Sequence, residues 1–122
     1  MLEEETRGEK KFVLAKKNRL KNSREFKKVY SFGKKINANY FFVKYSKNSL
    51  NVARFGIVVS RKISVKAVQR NKIKRRVCSI IRDLLKDYNK SYDIVLISRK
   101  NIIKASFKDI QEDIRKILLN IF

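Results

Sequence analysis

The chain has 122 residues, of which 32 are Lys or Arg and 11 are Asp or Glu, so its formal net charge at pH 7 is +21. It has no histidine and a single cysteine, Cys78, which excludes an imidazole general base, a histidine metal ligand and an internal disulfide. The length favours one domain with its own hydrophobic core. So large a positive excess favours a polyanionic partner. Nucleic acid is the strongest candidate, because its phosphates release counterions when a protein neutralises them.

The N-terminal segment differs in composition from the rest of the chain. Its polar start, MLEEETRGEKK, is unlike a signal peptide, and no apolar run in the chain approaches the roughly 20 residues that span a bilayer. A lone cysteine is typical of a reducing compartment, so we expect a cytoplasmic protein. The sequence predicts a charged, partly disordered extension over residues 1–18 and a single domain over residues 19–122.

The first helix is predicted to begin near residue 22, because Asn22 or Ser23 can cap it and Glu25 has capping-box spacing from Asn22. Gly33 predicts its end. The apolar residues that share one face of this helix are Phe26, Val29 and Tyr30.

Two strands are predicted next, from the aromatic and β-branched residues at 40–45 and 52–60. The polar segment 47–51 between them predicts a turn. Two strands joined by a short turn are typical of an antiparallel hairpin, which is the pairing we expect.

A long amphipathic helix is predicted from about residue 64. The residues of its apolar stripe are Ile73, Val77, Ile80, Ile81 and Leu84. Its opposite side is basic and includes Lys72, Arg75 and Arg82, with Arg70 and Lys74 at the far edge of the stripe.

A buried strand is predicted at 92–98, and a last helix is predicted after Ser106, which has Asp109 in capping position. The residues of its apolar face are Phe107, Ile110, Ile114, Ile117, Leu118 and Ile121. Together the elements predict an α+β fold, a two-layer sandwich of a small mixed sheet with about three helices. The order is α-β-β-(β)-α-β-α, where the third strand is allowed but not assigned.

Residues 60–75, SRKISVKAVQRNKIKR, are the densest basic segment, with Lys, Arg or Asn at eight of sixteen positions. Its cations lie at a strand end, in a tight connection and on a helix face, which predicts a rigid array for a phosphate backbone. Arg can donate two hydrogen bonds to one phosphate, and Lys acts as a point charge. Few acidic residues lie nearby, so we favour this interpretation over an ordinary solvated helix face.

The segment FGIVVSRKISVKAVQRNKIKR, residues 55–75, resembles the signature of the bacterial ribonuclease P protein component. That signature is a strand ending in SKK, a short link, and then AV, RNR and KR. Upstream, LKNSREFKKVYSFG is similar to the family's first helix, and DIVLISRK is similar to its last strand. The similarity covers roughly residues 19–122.

The resemblance implies a protein that assists a large catalytic RNA, which removes the 5′ leader of precursor tRNA with Mg²⁺ held mainly by that RNA. The chain would then be an RNA-binding subunit of an endoribonuclease. The resemblance implies that the protein has no catalytic or metal-binding residues, no association with a membrane and no obligate protein partner. The residues expected to bind the catalytic RNA are Arg61, Lys66, Arg70, Asn71, Lys72, Lys74 and Arg75. The residues expected to bind the leader, in a cleft between helix and sheet, are Phe26, Tyr30, Tyr45, Lys62 and Arg99.

Stacking of unpaired bases on aromatic rings beside cations is physically reasonable for a leader, although Phe26 and Tyr30 taken alone also fit plain core packing. Two residues depart from the family pattern: Lys72 replaces the last Arg of RNR, and Cys78 stands where another Arg is frequent. The family also implies a left-handed crossover around the basic helix, against the general right-handed rule.

Other functions agree less well with the residues. A small basic ribosomal RNA-binding protein would share the charge and size, but it needs no aromatic cleft. A protein-only nuclease lacks histidines and clustered carboxylates. A membrane-active cationic protein would expose the apolar faces that the core requires. Half-buried packing fits Cys78 better than a reactive thiol.

Overall fold

The structure, a computed structural model, describes residues 14–122. Its helices are α1 (Ser23–Phe32), α2 (Ala67–Leu84) and α3 (Phe107–Ile121), and its strands are β1 (Lys34–Asn37), β2 (Phe41–Lys47), β3 (Arg54–Val58) and β4 (Tyr92–Ser98). Short 3-10 helices occur at Lys16–Asn18 and Lys100–Lys104. This order confirms the predicted α+β class, and the additional strand is β1, which precedes the two strands predicted between the first two helices.

The four strands form one mixed sheet in the order β1-β2-β4-β3. β4 pairs antiparallel with β2 and parallel with β3, so the predicted hairpin between the second and third strands is wrong. The reason is the composition of β4, whose Ile94, Val95 and Leu96 are all buried. A strand that is apolar on both faces is most stable in the interior of a sheet. The left-handed sense of the β3-α2-β4 connection stays a prediction.

The two faces of the sheet are packed differently. The covered face presents Phe41, Val43, Ile94 and Leu96 to the apolar stripes of α2 and α3, and these residues belong to one large core. Of the α-helices that the structure describes, only α1 lies on the open face, above a small cluster of Leu20, Val29 and Val95. The difference leaves part of the open face accessible beside α1.

Both predicted helix caps are confirmed. Asn22 accepts a hydrogen bond from the backbone N–H of Glu25 at 3.0 Å, and Ser106 accepts one from Asp109 at 3.1 Å, each within a capping box. Gly33 ends α1, where a side chain would collide with the carbonyl of Val29. The predicted apolar faces of α2 and α3 are buried apart from Leu84, which is half-buried, and Phe107, which is 42% exposed at the start of α3.

A charged cluster attaches α1 to the sheet. Arg54 donates two hydrogen bonds to the buried carboxylate of Asp93, at 2.9 and 2.8 Å, and one to Glu25 at 2.7 Å. The N–H of Lys21, which donates to Glu25 at 2.6 Å, and the Arg54 guanidinium together hold the pKa of Glu25 below its ordinary value. One arginine therefore joins the helix cap to two strands.

The segment before α1 is packed where the structure describes it. Leu14 is buried in the core, and the side chain of Asn18 donates to the carbonyl of Ala53 at 2.7 Å. Residues 1–13 of the predicted extension lie outside the described residues, and the division at residue 18 stays a prediction. Within residues 14–122, no helix combines the length and apolar character needed to cross a bilayer.

Candidate nucleic-acid interface

A groove of about 410 Å³ runs between α1 and the open face of the sheet. The α1 side contributes Phe26 and Tyr30, and the sheet contributes Val58, Val95 and Ile97. Tyr30 is 54% exposed, whereas Phe26 is half-buried against the small cluster of the open face. Phe26 thus packs on this cluster, and both rings line an accessible groove, while their contact with a leader stays a prediction.

Gly56 in β3 makes room for the Phe26 ring. A Cβ atom at this position would overlap that ring and would also come within 3.1 Å of Leu20. The absence of a side chain therefore allows the aromatic ring to lie directly against the strand.

Tyr45 was expected in the same cleft, but it lies on the covered face. Its ring centre is 6.1 Å from that of Tyr92, and it packs against the large core. Its neighbour Lys44 points to the open face instead, with Nζ 5.8 Å from the centre of the Tyr30 ring. The alternation of side chains along a strand predicts this once Phe41 and Val43 are assigned to the core. Sequence reasoning therefore missed Lys44.

Lys62 lies in a neighbouring cleft with a volume of about 750 Å³. The residues that line it are Ser60, Lys62, Ile63, Ile97, Ser98 and Lys100. Ile97 lines this cleft and the α1 groove as well, so the two are adjacent. Lys100 is a further cation of this cleft that sequence reasoning did not select.

Arg99 lines neither cavity. Its Nε donates to the carbonyls of Ala38 and Phe41 at 3.2 and 3.3 Å, and its Nη2 donates to Asn37 at 2.8 Å. The structure therefore gives Arg99 a role in holding the connection between β1 and β2, and its predicted contact with a leader has no geometric support.

The basic surface comprises the predicted residues of the β3-α2 connection and the start of α2, and six of its seven members are exposed. These six are Arg61, Lys66, Asn71, Lys72, Lys74 and Arg75. The seventh, Arg70, is half-buried and donates to the carbonyl of Ser64 at 2.9 Å, which fixes the connection against the helix. All seven therefore lie in the β3-α2 connection and the N-terminal half of α2.

The electrostatics of this surface favour an anion. The first turn of α2 has no acidic residue and no side-chain cap, so the positive end of the helix dipole adds to the cations instead of being offset. Within residues 14–122, no acidic side chain lies within ion-pair distance of these cations, in contrast to Arg54, which has two such partners. Phosphates are the ligands that satisfy such an arrangement.

Two groups capable of chemistry, Cys78 and Asp113, have structural surroundings. Burial raises the pKa of the Cys78 thiol, which agrees with the predicted packing role. Asp113, one of the few carboxylates, is buried and accepts the N–H groups of Asn39 and Tyr40 at 3.1 and 2.8 Å. No group of three or more carboxylate, thiol or imidazole side chains within the described chain is arranged to hold a metal ion, so these residues do not fit a protein-bound Mg²⁺ site.

The family model for ribonuclease P matches residues 14–121. The chain belongs to the ribonuclease P protein family. This confirms the resemblance carried by the sequence, and it makes the chain a subunit of an endoribonuclease holoenzyme of tRNA processing. The same match argues against the ribosomal and membrane-active alternatives.

Individual relatives agree. The chain is 37% identical over 101 residues to the ribonuclease P protein component of Syntrophomonas wolfei, covering 83% of this chain and 84% of the relative. It is 36% identical over 107 residues to that of Fusobacterium nucleatum, covering 84% and 96%.

Solved structures of ribonuclease P proteins share the fold. The protein from Thermotoga maritima superposes with a TM-score of 0.75 at 36% identity, covering 82% of this chain and 94% of that one. The Staphylococcus aureus protein also gives 0.75, at 29% identity, with coverage of 83% and 92%.

Proposed function

We propose that this chain binds the catalytic RNA of ribonuclease P through the basic surface and the 5′ leader of precursor tRNA through the α1 groove. In this way it assists RNA-catalysed, Mg²⁺-dependent removal of the leader. The observation that carries the proposal is that an aromatic groove and a lysine-lined cleft lie side by side and share Ile97. We place this activity in the cytoplasm, where a chain with one unpaired thiol remains reduced.

The groove suits an unpaired strand better than a duplex. Phe26 and Tyr30 offer ring faces on which bases of any sequence stack, and Lys44, beside Tyr30, supplies a cation for the backbone. Lys62 and Lys100 continue the positive charge at the far end. Binding of this kind depends little on sequence, as a subunit that handles many different leaders requires.

The basic surface suits a folded RNA. Its cations lie on α2 and on a short connection that Arg70 holds to the helix through the Ser64 carbonyl. They therefore match a fixed path of phosphates at little entropic cost. Neither region contains a general base or a carboxylate cluster within residues 14–122. In the proposed function, the protein supplies counter-charge and a groove, and the RNA with its Mg²⁺ supplies the reaction.

The test is reconstitution at low Mg²⁺ with precursor tRNA. The purified chain, the catalytic RNA and the two together are assayed for release of the leader. We expect no cleavage by the chain alone and faster cleavage, with tighter precursor binding, by the two together. Cleavage by the chain alone, or no effect on the RNA, would overturn the proposal.

A further inference from the structure

A second aromatic groove lies on the covered side of the sheet, at the end remote from the basic surface. It has a volume of about 410 Å³, and its lining comprises Phe32, Lys34, Tyr45, Ser46, Lys47, Tyr92, Asn120 and Ile121. The lining contains two lysines and no acidic side chain. Neither the α1 groove, which is the proposed leader groove, nor the basic surface includes any of these residues.

Two aromatic residues of this groove, Tyr45 and Tyr92, belong to an array of rings that extends beyond its lining. The Tyr45 and Tyr92 ring centres are 6.1 Å apart, and Tyr92 lies 5.3 Å from Phe122, which in turn stacks on Tyr88 at 5.8 Å. Tyr45 and Tyr92 are both half-buried, so each packs on the core and still lines the groove. Across the opening, Phe32 is 83% exposed, so its ring is accessible to a ligand in the groove.

The end of α1 connects the two grooves. Tyr30 lines the leader groove and Phe32 lines the second groove, because residues two positions apart lie on nearly opposite sides of a helix. The edge strand β1 that follows also carries side chains toward both grooves. Lys34 pairs with Tyr45 on the side of the second groove, and Lys35 pairs with Lys44 on the side of the leader groove. Cations and aromatic rings therefore continue around this edge of the sheet.

We propose that the second groove binds nucleotides of the precursor leader that lie beyond those held in the α1 groove. The inference rests on the proposed function, since it requires a leader in the first groove. Aromatic faces for bases and lysines for phosphates are the chemistry that single-stranded RNA needs, and the net charge of +21 favours any further stretch of phosphates. Lysines on an edge strand also discourage edge-to-edge association, and the experiment separates that role from RNA binding.

The experiment measures the affinity of the holoenzyme for two precursors, one with a leader of about five nucleotides and one with a leader of about fifteen. These lengths lie near the lower and upper limits of the sites that single-strand-binding domains cover. The test variant is Phe32→Ala combined with Lys47→Gln. Both side chains are exposed, so the fold is preserved. The control variant is Leu119→Ala combined with Lys104→Gln, which removes an exposed leucine and an exposed lysine outside the groove.

We expect the test variant to lose about tenfold in affinity for the long leader, the loss of one stacked base and one phosphate contact, and to keep its affinity for the short one. The control should bind both normally. Equal affinities of the test variant and the control for the long leader would overturn the inference. Phe26→Ala provides the separate check on the proposed function. If it weakens neither precursor, the leader groove is refuted, whereas failure of the second groove alone leaves its effect on both precursors intact.

Discussion

The two faces of the sheet are covered by helices to different extents in this protein. On the covered face, inward residues of β2, β3 and β4 are buried with α2 and α3 in one core. Of the described α-helices, only α1 lies on the open face, where three buried residues, Leu20, Val29 and Val95, support it. A face that is fully covered supplies stability, and a face that is partly covered leaves a groove. The comparison suggests that stability and binding are divided between neighbouring residues of the same strands.

The largest expected effect tests that division on two consecutive residues of β4. Leu96 is fully buried on the covered face, and Ile97 is half-buried in the α1 groove. Leu96→Ala should reduce the free energy of unfolding by about 4 kcal/mol, because it leaves a cavity in the core. Ile97→Ala should cost about 1–2 kcal/mol. Urea denaturation measures both, and equal losses would contradict the division.

A second prediction compares a paired arginine with an unpaired one. Arg54→Met leaves the buried Asp93 carboxylate without its cationic partner and should cost about 3 kcal/mol of stability. Arg75→Met removes an exposed cation and should change stability by less than about 0.5 kcal/mol. Adding Asp93→Asn to Arg54→Met should restore part of the loss, since it removes the uncompensated charge. An Arg54→Met variant as stable as Arg75→Met would show that the cluster does not anchor α1.

A third prediction concerns the open face in binding. Phe26→Ala should weaken binding of precursor tRNA to the holoenzyme by about tenfold, the value of one stacked base, and leave binding of mature tRNA unchanged. Phe107→Ala is the matched control, because Phe107 is a partly exposed phenylalanine away from the groove. Fluorescence anisotropy with labelled RNAs measures both. Equal weakening of precursor and mature tRNA would mean that Phe26 acts only through packing.

The smallest effect is expected on the basic surface. Arg75→Ala should lower the affinity for the catalytic RNA modestly and reduce the slope of log affinity against log salt by about one. Arg75 is preferable to Arg70 for this test, because Arg70 also holds the connection at Ser64. Arg115→Ala, an exposed arginine on α3, is the control. An unchanged slope would exclude Arg75 from the RNA-binding surface.

The sequence predicted the features that depend on near neighbours along the chain. Helix caps at Asn22 and Ser106, the apolar stripes of α2 and α3 and the basic segment 60–75 all follow from spacings of three or four residues. The residues of that basic segment also carried the resemblance to the family. Tyr45 was expected in the α1 groove from the resemblance to the family alone, whereas strand alternation assigns Tyr45 to the core side and Lys44 to the groove.

Only the tertiary structure decided the features that join distant segments. The insertion of β4 between β2 and β3, the bridge from Arg54 to Glu25 and Asp93, and the use of Arg99 as a brace all link residues far apart in the chain. Local periodicity carries no information about which strands become neighbours, because that choice follows from how the whole set of apolar faces is buried together. The sequence by itself thus determined a basic helix, its flanking elements and a family, and packing determined where the grooves lie.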